Sequence, residues 1–548
     1  MKGLIGLFSV LATINTTTPN SITEASIDIT EMNIEEIQEA VDDGYLTYEK
    51  IMNIYLERID EYNEKYNAIL YINKDAIEEA KKADVEYKKN GRKSMLFGLP
   101  IVVKDNIDVK GMPTTGGTKA LKDNYPKNDA PAIKNIKDAG GIIIGKTNMS
   151  EFALSAYNSH SSYGHVRNAY NTSYSSYGSS GGTAVAVAAN FAVAGLGTDT
   201  GGSVRLPSSA NNLIGIRPTW GSISGDGVIK YDKTRDTIGP ITRYVEDNAI
   251  LLDILQNKDK KYENTTNKTQ SLKGLRIGVA TQLTNGKVTT GIQNLFNKTL
   301  KNMKSLGAEV VYVNDFYNGY YSFNRPSFCY DFNEYLKGTT GTIRSFQELK
   351  KNGGYVSDMS WVDLSWCSKD YIKSSQYATV KKGRDAFTTY VNNKFKKYNL
   401  DVVVYPNIRE SLYSVYGARH ASRGTYAYVI TATGFPTMSI QMGKINGLPY
   451  GMDVVAVKDN EQVLYKLAYN YQEKTNYYNN PSISKNLYVV SEELSKIKNK
   501  KNENKDKYKD IDKISEEYIE NYDEKSSSNL KESLILSMYE LIDENESD

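Results

Sequence analysis

Histidine is scarce in this sequence of 548 residues, which contains only three, namely His160, His165 and His420. A catalytic triad of the Ser-His-Asp type needs a histidine to take the proton of its nucleophilic serine. None of the three histidines lies within the glycine-rich serine segments of the chain. If one of those serines is a nucleophile, we therefore expect a base of another residue type.

Cysteine is scarcer still, with Cys329 and Cys367 as the only two in the sequence. Two cysteines are too few for a disulfide framework, so they either pair or stay free, and free buried thiols are the expectation. The sequence also has no cluster of histidine, cysteine and carboxylate residues with the spacing of a metal site. We therefore expect no metal and no cofactor.

A strong excess of charge is absent as well, because 67 lysine and arginine residues stand against 65 aspartate and glutamate residues. A net charge of +2, without a basic patch interleaved with aromatic residues, excludes a nucleic-acid partner. At this length and with 40% hydrophobic residues, the chain is able to bury a large core.

The N-terminus carries a short hydrophobic run, residues 3–14, which follows Lys2 and precedes a polar stretch ending at Ala25. This layout predicts a secretory signal peptide over residues 1–25. The run is too short to span a membrane as an ordinary helix, so we expect no stable membrane span after cleavage. The sequence thus favours a secreted or extracytoplasmic protein, with a cytoplasmic location as the alternative.

Three short segments carry the residues that point to chemistry. Residues 98–106 read GLPIVVKDN, residues 177–182 read YGSSGG, and residues 197–205 read GTDTGGSVR. The apolar run 99–103 predicts a buried strand, which places Lys104 at a strand end inside the protein. Burial disfavours the ammonium form of a lysine, so Lys104 is a candidate base for a serine in one of the other two segments.

In this order, the three segments resemble the motifs of the amidase signature family, and the resemblance covers about residues 29–478. It is nearest to free-standing bacterial amidases of the peptide-amidase-like type. Other matching segments are GKTNMSEFA at 145–153, RN at 167–168, GIRPTWG at 215–221, TRDTIGP at 234–240 and GFP at 434–436.

The resemblance implies three catalytic residues. In the family the motif lysine is the base, the first motif serine relays the proton from a cis peptide, and the serine after the glycine pair is the nucleophile. Carried over to this sequence, these residues are Lys104, Ser179 and Ser203. The resemblance also implies an oxyanion hole, where glycine lets the main chain approach the substrate closely. Its backbone amides are those of Thr200, Gly201, Gly202 and Ser203.

We also expect supporting roles for residues near these three positions. Asp199 and Arg205 flank the nucleophile, and we expect a charged pair that supports a tight loop, with substrate contact as the alternative. We expect Asn148 to brace the loop beside the site, together with Glu151. Met149 and Ser155 lie where family members line the acyl pocket.

Two other motifs compete with this interpretation. Residues 178–182 fit a nucleophile elbow with Ser180 as nucleophile and His420 as its base, but an elbow needs an apolar strand before it, and residues 171–177 are polar. Residues 140–147 fit a phosphate-binding loop, but such a loop needs a glycine-rich turn, whereas the run 142–144 reads as a strand.

Strands alternate with helical stretches between residues 98 and 255, which predicts an α/β protein. The resemblance implies one large domain with a mixed β-sheet sandwiched by helices. The expected divisions are a signal peptide (1–25), an N-terminal helical segment (26–95), a catalytic core (96–482) with a variable substrate region near 263–398, and a charged, partly disordered tail (483–548).

The resemblance implies an amidase that hydrolyses a small-molecule or peptide carboxamide through an acyl-enzyme. One alternative is the glutaminase (A) subunit of a tRNA-dependent amidotransferase. Another is a non-catalytic extracytoplasmic protein on an amidase fold. The sequence does not indicate the acyl group, the leaving group or the oligomeric state.

Overall fold

The computed structural model of this chain describes residues 11–14, 25–30, 32–256, 262, 266, 271–319, 327–360, 362–417, 425–476, 478, 481 and 488–491. The strands are β1 (Leu11–Ile14), β2 (Ala25–Asp28), β3 (Ile69–Ile72), β4 (Pro100–Lys104), β5 (Ile142–Thr147), β6 (His160–Ser161), β7 (Gly164–His165), β8 (Ala194–Asp199), β9 (Ile214–Arg217), β10 (Thr237–Thr242), β11 (Arg276–Ala280), β12 (Glu309–Val313), β13 (Val402–Pro406), β14 (Thr437–Ile445), β15 (Leu448–Val455) and β16 (Tyr488–Ser491). The α-helices are α1 (Ile34–Asp42), α2 (Tyr48–Tyr66), α3 (Ala76–Asn90), α4 (Pro131–Asp138), α5 (Gly181–Ala188), α6 (Arg205–Ala210), α7 (Val245–Leu255), α8 (Thr290–Ser305), α9 (Phe328–Leu336), α10 (Phe346–Asn352), α11 (Lys369–Lys373), α12 (Ser375–Tyr398) and α13 (Glu461–Thr475).

Most of the strands form one mixed sheet of 11 strands, in the order β12-β11-β13-β15-β14-β9-β10-β8-β4-β5-β3. Strand β4 runs parallel to both β5 and β8, whereas β8 and β10 are antiparallel. All five residues of β4 are buried, as expected for a strand with both faces covered. The predicted α/β fold with a large mixed sheet is confirmed.

Helix α5 begins directly after the YGSS segment and packs against β4, β8 and β10. Its eight residues are all buried, and most of them are glycine, alanine or valine, which lets the helix approach the sheet closely. The alanine- and valine-rich run 183–194 predicts a helix over those residues. It ends earlier because Asn190 takes a left-handed φ of 58° and β8 already begins at Ala194.

The N-terminal helical segment consists of α1, α2 and α3 around the short strand β3. Helix α1 begins with a capping box in which Asn33 and Glu36 satisfy each other's backbone amides. The continuous helical pattern of residues 34–66 is split by Gly44, whose φ of 76° ends α1.

Two predicted segments lie largely outside the described residues, namely the signal peptide (1–25) and the tail (483–548). Their described parts include β1 and β16, which both pair antiparallel with β2 in a three-stranded sheet. None of the described helices is long and apolar enough to cross a membrane.

The described residues within 327–373 carry α9, α10 and α11, and we name them the cap. Cap side chains form a separate apolar cluster with Leu121, Phe152 and Ile229 of the main body. Cys329 on α9 forms a disulfide with Cys367, with their Cα atoms 4.6 Å apart. The expectation of free thiols is wrong, because the fold of the cap joins two positions 38 residues apart that composition alone does not relate.

Candidate active site

Lys104 is the last residue of β4 and is fully buried. Its Nζ lies 2.6 Å from Ser179 Oγ, 2.8 Å from Thr198 Oγ1 and 3.3 Å from the carbonyl oxygen of Thr198. Thr198 belongs to the neighbouring strand β8, so the pairing of β4 with β8 fixes the lysine beside its partners. The structure thus brings together the predicted base and the predicted relay serine.

Burial lowers the pKa of Lys104 to about 7, against the opposing effect of the Asp199 and Asp236 charges. An ordinary lysine holds its proton up to a pKa of about 10.4. A large fraction of the Lys104 side chains is therefore neutral near pH 7, and a neutral amine accepts a proton. This is the electrostatic property that a lysine base needs.

Ser179 lies in the loop between Tyr177 and α5, and the Gly178–Ser179 peptide bond is cis, as the resemblance implied. The carbonyl oxygen of Ser179 accepts hydrogen bonds from the Ser150 amide at 3.0 Å and from Ser159 Oγ at 3.3 Å. A Cβ atom at Gly178 would lie 2.2 Å from the carbonyl oxygen of Asn158, so this position requires glycine.

Ser203 lies in the turn between β8 and α6 and is 3% exposed. Its carbonyl oxygen accepts a hydrogen bond from the Ser180 amide at 3.1 Å, which ties the two serine loops together. Gly202 has a φ of 111°, and a Cβ atom there would lie 2.5 Å from Ala427 Cβ. Only glycine fits this turn.

The Gly202 amide departs from the expected oxyanion hole, because it donates to Asp199 Oδ1 at 2.8 Å. The expectation that this amide is free for a substrate oxyanion is therefore wrong in this arrangement. The amides of Thr200, Gly201 and Ser203 remain the candidate donors.

Asp199 and Arg205 form a buried ion pair, with Arg205 Nε 3.1 Å from Asp199 Oδ2. Burial raises the pKa of Asp199, but the guanidinium groups of Arg205 and Arg217 outweigh that effect and hold it at about 2. Arg205 also pairs with the buried Asp453. The carboxylate of Asp199 accepts the amides of Gly202 and Val204, so the pair supports the nucleophile turn.

Asn148 braces the loop beside the site, since its Oδ1 accepts from the Met149 amide at 2.8 Å and from Ser161 Oγ at 2.7 Å. Met149 is fully buried, and a Cβ atom at Gly117 would lie 3.3 Å from its Cγ. Ser155 Oγ accepts from the Tyr157 amide at 3.2 Å, which gives this side chain a role in the local turn. Their role in an acyl pocket stays a prediction.

The phosphate-binding motif does not form its own site, whereas the nucleophile elbow stays a prediction. Lys146 lies within β5 and is buried 3.1 Å from Asp105, so residues 140–147 contain a strand where a phosphate-binding loop needs a turn. Ser180 Oγ lies 3.3 Å from both the amide nitrogen and the carbonyl oxygen of Thr198. His420, the base of the elbow alternative, lies outside the described residues.

Asp236 is a site residue that the sequence reasoning missed. Its Oδ1 accepts from Thr200 Oγ1 at 2.6 Å, and its Oδ2 accepts from the amides of Tyr231 and Asp232. Burial raises the pKa of this carboxyl to about 6. Asp236 belongs to the family-like segment TRDTIGP, which could have marked it as a site residue. The segment alone does not show that the carboxylate contacts Thr200.

The mixed sheet places a buried lysine beside two glycine-rich serine loops. This arrangement is typical of hydrolases of the α/β class in which a lysine takes the place of histidine as the base. Residues 50–464 match the amidase family. The chain therefore belongs to the amidase family, specifically to the amidase signature enzymes, and is an amide-hydrolysing enzyme.

Among relatives, the chain is 33% identical over 469 residues to the A subunit of glutamyl-tRNA(Gln) amidotransferase from Exiguobacterium sibiricum, covering 81% of this chain and 97% of that protein. It is 30% identical over 494 residues to the corresponding protein of Clostridium botulinum, covering 82% and 99%.

Among solved structures, the chain resembles the peptide amidase of Stenotrophomonas maltophilia with a TM-score of 0.74 and 26% identity, covering 83% of this chain and 99% of that one. An amidase family protein of Bacillus anthracis gives a TM-score of 0.72 at 27% identity, covering 83% and 93%. The fold is also shared with the A subunit of the Thermotoga maritima glutamyl-tRNA(Gln) amidotransferase, with a TM-score of 0.62 at 22% identity, covering 84% of this chain and 99% of that one.

Proposed function

We propose that this enzyme hydrolyses carboxamides through an acyl-enzyme on Ser203, with Ser179 as proton relay and Lys104 as base. The observation that carries the proposal is the 2.6 Å contact between Lys104 Nζ and Ser179 Oγ, made by a buried lysine whose pKa is lowered to about 7. A neutral amine at this distance is able to accept the proton of the relay hydroxyl.

In the first half of the reaction, Ser203 Oγ attacks the carbonyl carbon of the amide. Its proton passes to Ser179 Oγ, whose own proton passes to Lys104 Nζ. Backbone amides of Thr200, Gly201 and Ser203 donate to the oxyanion. The C–N bond then breaks, the proton returns through Ser179 to the leaving nitrogen, and ammonia or an amine departs. Water attacks the acyl-enzyme by the same relay and releases the carboxylic acid.

For the substrate, we favour a peptide amide or a small carboxamide, hydrolysed by a free-standing enzyme. Support comes from the structural similarity, which is greater to the peptide amidase than to the amidotransferase protein of Thermotoga maritima, with TM-scores of 0.74 and 0.62. The second candidate is a glutaminase subunit that passes ammonia to a partner. The relatives named as amidotransferase A subunits, which are matched over nearly their whole length, favour it.

A fluorophosphonate label, which reacts with activated serines, tests the catalytic assignment. We expect label on Ser203 in the wild type, none in Ser203→Ala, and strongly reduced label in Lys104→Ala. His420→Ala is the matched control and should label normally. Label on Ser180 that depends on His420 would overturn the assignment in favour of a nucleophile elbow, and no label at all would favour a non-catalytic protein.

Ammonia release from a panel of amides separates the two substrate candidates. The panel contains free glutamine, peptide amides, and aryl, fatty and cyclic amides. Turnover of peptide or small amides by the purified chain alone supports the free-standing enzyme. Turnover of free glutamine alone, and only with partner proteins added, would establish the glutaminase role instead.

We also propose export of this enzyme. The hydrophobic run 3–14 supports it, as does the disulfide between Cys329 and Cys367, because disulfides form mainly in oxidising compartments. N-terminal sequencing of the protein from its native host should begin at Ser26. A sequence beginning at Met1 or Lys2, from protein in the cytoplasmic fraction, would overturn the proposal.

A further inference from the structure

Ser159 lies beside the loop that carries Ser179 and is 1% exposed. Its hydroxyl donates to the carbonyl oxygen of Tyr177 at 2.9 Å and lies 3.3 Å from the carbonyl oxygen of Ser179. The same oxygen accepts the Gly181 amide at 2.9 Å. One side chain thus contacts the backbone before, at and after the relay serine.

The fit between Ser159 and this loop is close. A Cβ atom at Gly181 would lie 2.3 Å from Ser159 Oγ, so glycine at that position is what lets the hydroxyl reach the backbone. The backbone of Ser159 is itself held, because its carbonyl oxygen accepts the Val166 amide at 2.8 Å. The position of the Ser159 hydroxyl is therefore fixed, and the hydroxyl restrains the backbone of the loop that it contacts.

The position of Ser179 matters because its Oγ lies 2.6 Å from Lys104 Nζ. Proton transfer along a relay is sensitive to small displacements, and a misplacement of about 1 Å can cost roughly a hundredfold in rate. The Ser150 amide donates to the Ser179 carbonyl at 3.0 Å, and Ser159 Oγ, whose single proton is nearer to the Tyr177 carbonyl, lies 3.3 Å from the same oxygen. Only Ser159 also bonds the residues on both sides of Gly178–Ser179–Ser180.

We propose that Ser159 is a positioning residue for the proton relay, which holds Ser179 Oγ in line with Lys104 without touching the substrate. This inference rests on the proposed function, because it assumes that Ser179 relays protons. Loss of the hydroxyl then slows the proton-transfer steps and leaves the substrate pocket in place.

The test compares Ser159→Ala with Ser94→Ala. Ser94 is the matched control, since its Oγ also donates to a carbonyl, that of Ala139 at 2.9 Å, and accepts an amide, that of Leu96 at 3.1 Å, but in a different part of the chain. We expect Ser159→Ala to lower kcat roughly ten- to a hundredfold with KM unchanged, and to slow fluorophosphonate labelling of Ser203 by a similar factor. Ser94→Ala should keep wild-type kcat at a similar loss of Tm.

A second variant, Ser159→Cys, keeps the shape of the side chain, with a somewhat larger sulfur atom in place of the oxygen, and has only a weak donor. Its kcat should fall between those of the wild type and Ser159→Ala. Wild-type kcat in Ser159→Ala, a change confined to KM, or an equal loss of kcat in Ser94→Ala would each overturn the inference. Lys104→Ala distinguishes a failure of this inference from a failure of the proposed function. Full activity of Lys104→Ala would show that the proposed proton relay does not operate.

Discussion

At the scale of single residues, the proposed mechanism depends on the protonation of Lys104. Burial lowers its pKa to about 7, so below that pH the buried amine takes a proton and loses its basic form. We expect kcat/KM to rise with pH through about 7 and to fall roughly tenfold for each pH unit below it. The measurement is a pH–rate profile with a saturable amide substrate.

Circular dichroism over the same pH range is the control for this profile, since unfolding also abolishes activity. A profile that stays flat down to about pH 5 in a folded enzyme would show that Lys104 is not the base.

Asp236 has the opposite effect to burial on the pKa of Lys104. Its negative charge raises the pKa of Lys104, so Asp236→Asn should lower that pKa and move the acid limb of the pH–rate profile to lower pH. The variant also replaces an oxygen that accepts the amides of Tyr231 and Asp232, which loosens the support of Thr200. We expect kcat to fall roughly tenfold or more.

Asp226→Asn is the control for this variant, because Asp226 is an exposed aspartate ten residues before Asp236 in the sequence. It should change neither the acid limb nor kcat. If Asp236→Asn behaves like Asp226→Asn, the oxyanion turn does not depend on this carboxylate.

The candidate catalytic residues carry recognisable motifs, whereas the residues that hold them do not. Lys104 and Ser179 could be found from their motifs, and the structure places them 2.6 Å apart. Thr198 and Ser159 could not, because each acts through contacts with residues far along the chain or across a loop, and a threonine or serine carries no local pattern that reveals its partner. The commitment of the Gly202 amide to Asp199 likewise depends on the turn geometry.

At the scale of elements, Glu151 joins the cap to the catalytic loop. Its buried carboxylate accepts the amides of Val356 and Ser357, at 2.8 and 2.6 Å, and the hydroxyl of Ser162 at 2.6 Å. The preceding residue, Ser150, donates its amide to the Ser179 carbonyl. The residue that attaches the cap, Glu151, therefore directly follows Ser150, the residue that contacts the candidate relay serine.

Glu151→Ala should detach this part of the cap, because both cap amides donate to the same oxygen, Oε2, and alanine removes it. We expect the free energy of unfolding to fall by about 1–3 kcal/mol. If the cap lines the acyl side of the site, KM should change more for bulky amides than for small ones. Thermal unfolding and a KM series over acyl size are the measurements.

Ser162→Ala is the matched variant here, since it removes one donor and leaves the carboxylate bound to both amides. Its effect on stability should be about 1 kcal/mol or less. Equal changes of KM for small and bulky amides in Glu151→Ala would show that the cap does not determine substrate size.

Strands and helices could be predicted where a short stretch of sequence carries a clear hydrophobic pattern. The apolar run 99–103 becomes β4, with a shift of one residue. The tyrosine-rich stretch 314–389 contains α10, α11 and most of α12, which no regular pattern in its sequence indicates, whereas the segment 329–336 resembles a helix of peptide-amidase-like proteins and lies within α9. Cap helices bury few side chains each, for example Phe346 and Leu349 on α10, so their hydrophobic periodicity is weak and tertiary packing decides their form.

At the scale of the whole molecule, the disulfide links the folding of the cap to the compartment in which the chain folds. It closes a loop of 38 residues, and such a crosslink typically contributes about 2–4 kcal/mol. We expect no free thiol in the denatured, unreduced protein, and a lower Tm after reduction. Thiol titration with and without reductant, followed by thermal unfolding, measures both.

The double variant Cys329→Ala/Cys367→Ala is the control, because reductant should no longer change its Tm. Two titratable thiols in freshly purified, unreduced wild type would show that the pair is not formed.

The order of the chain separates the candidate catalytic residues from the cap. Lys104, Ser179 and Ser203 lie within the first half of the sequence, on β4 and in the loops around α5 and β8, whereas the cap follows more than a hundred residues later. Because Glu151 and the apolar cluster with Phe152 and Ile229 attach the cap to the main body, an exchange of the cap between homologous genes would have to keep the residues that meet these positions. Under that condition the exchange would leave Lys104, Ser179 and Ser203 in place, and the activity of such chimeras on small and bulky amides would show whether the cap contributes to substrate choice.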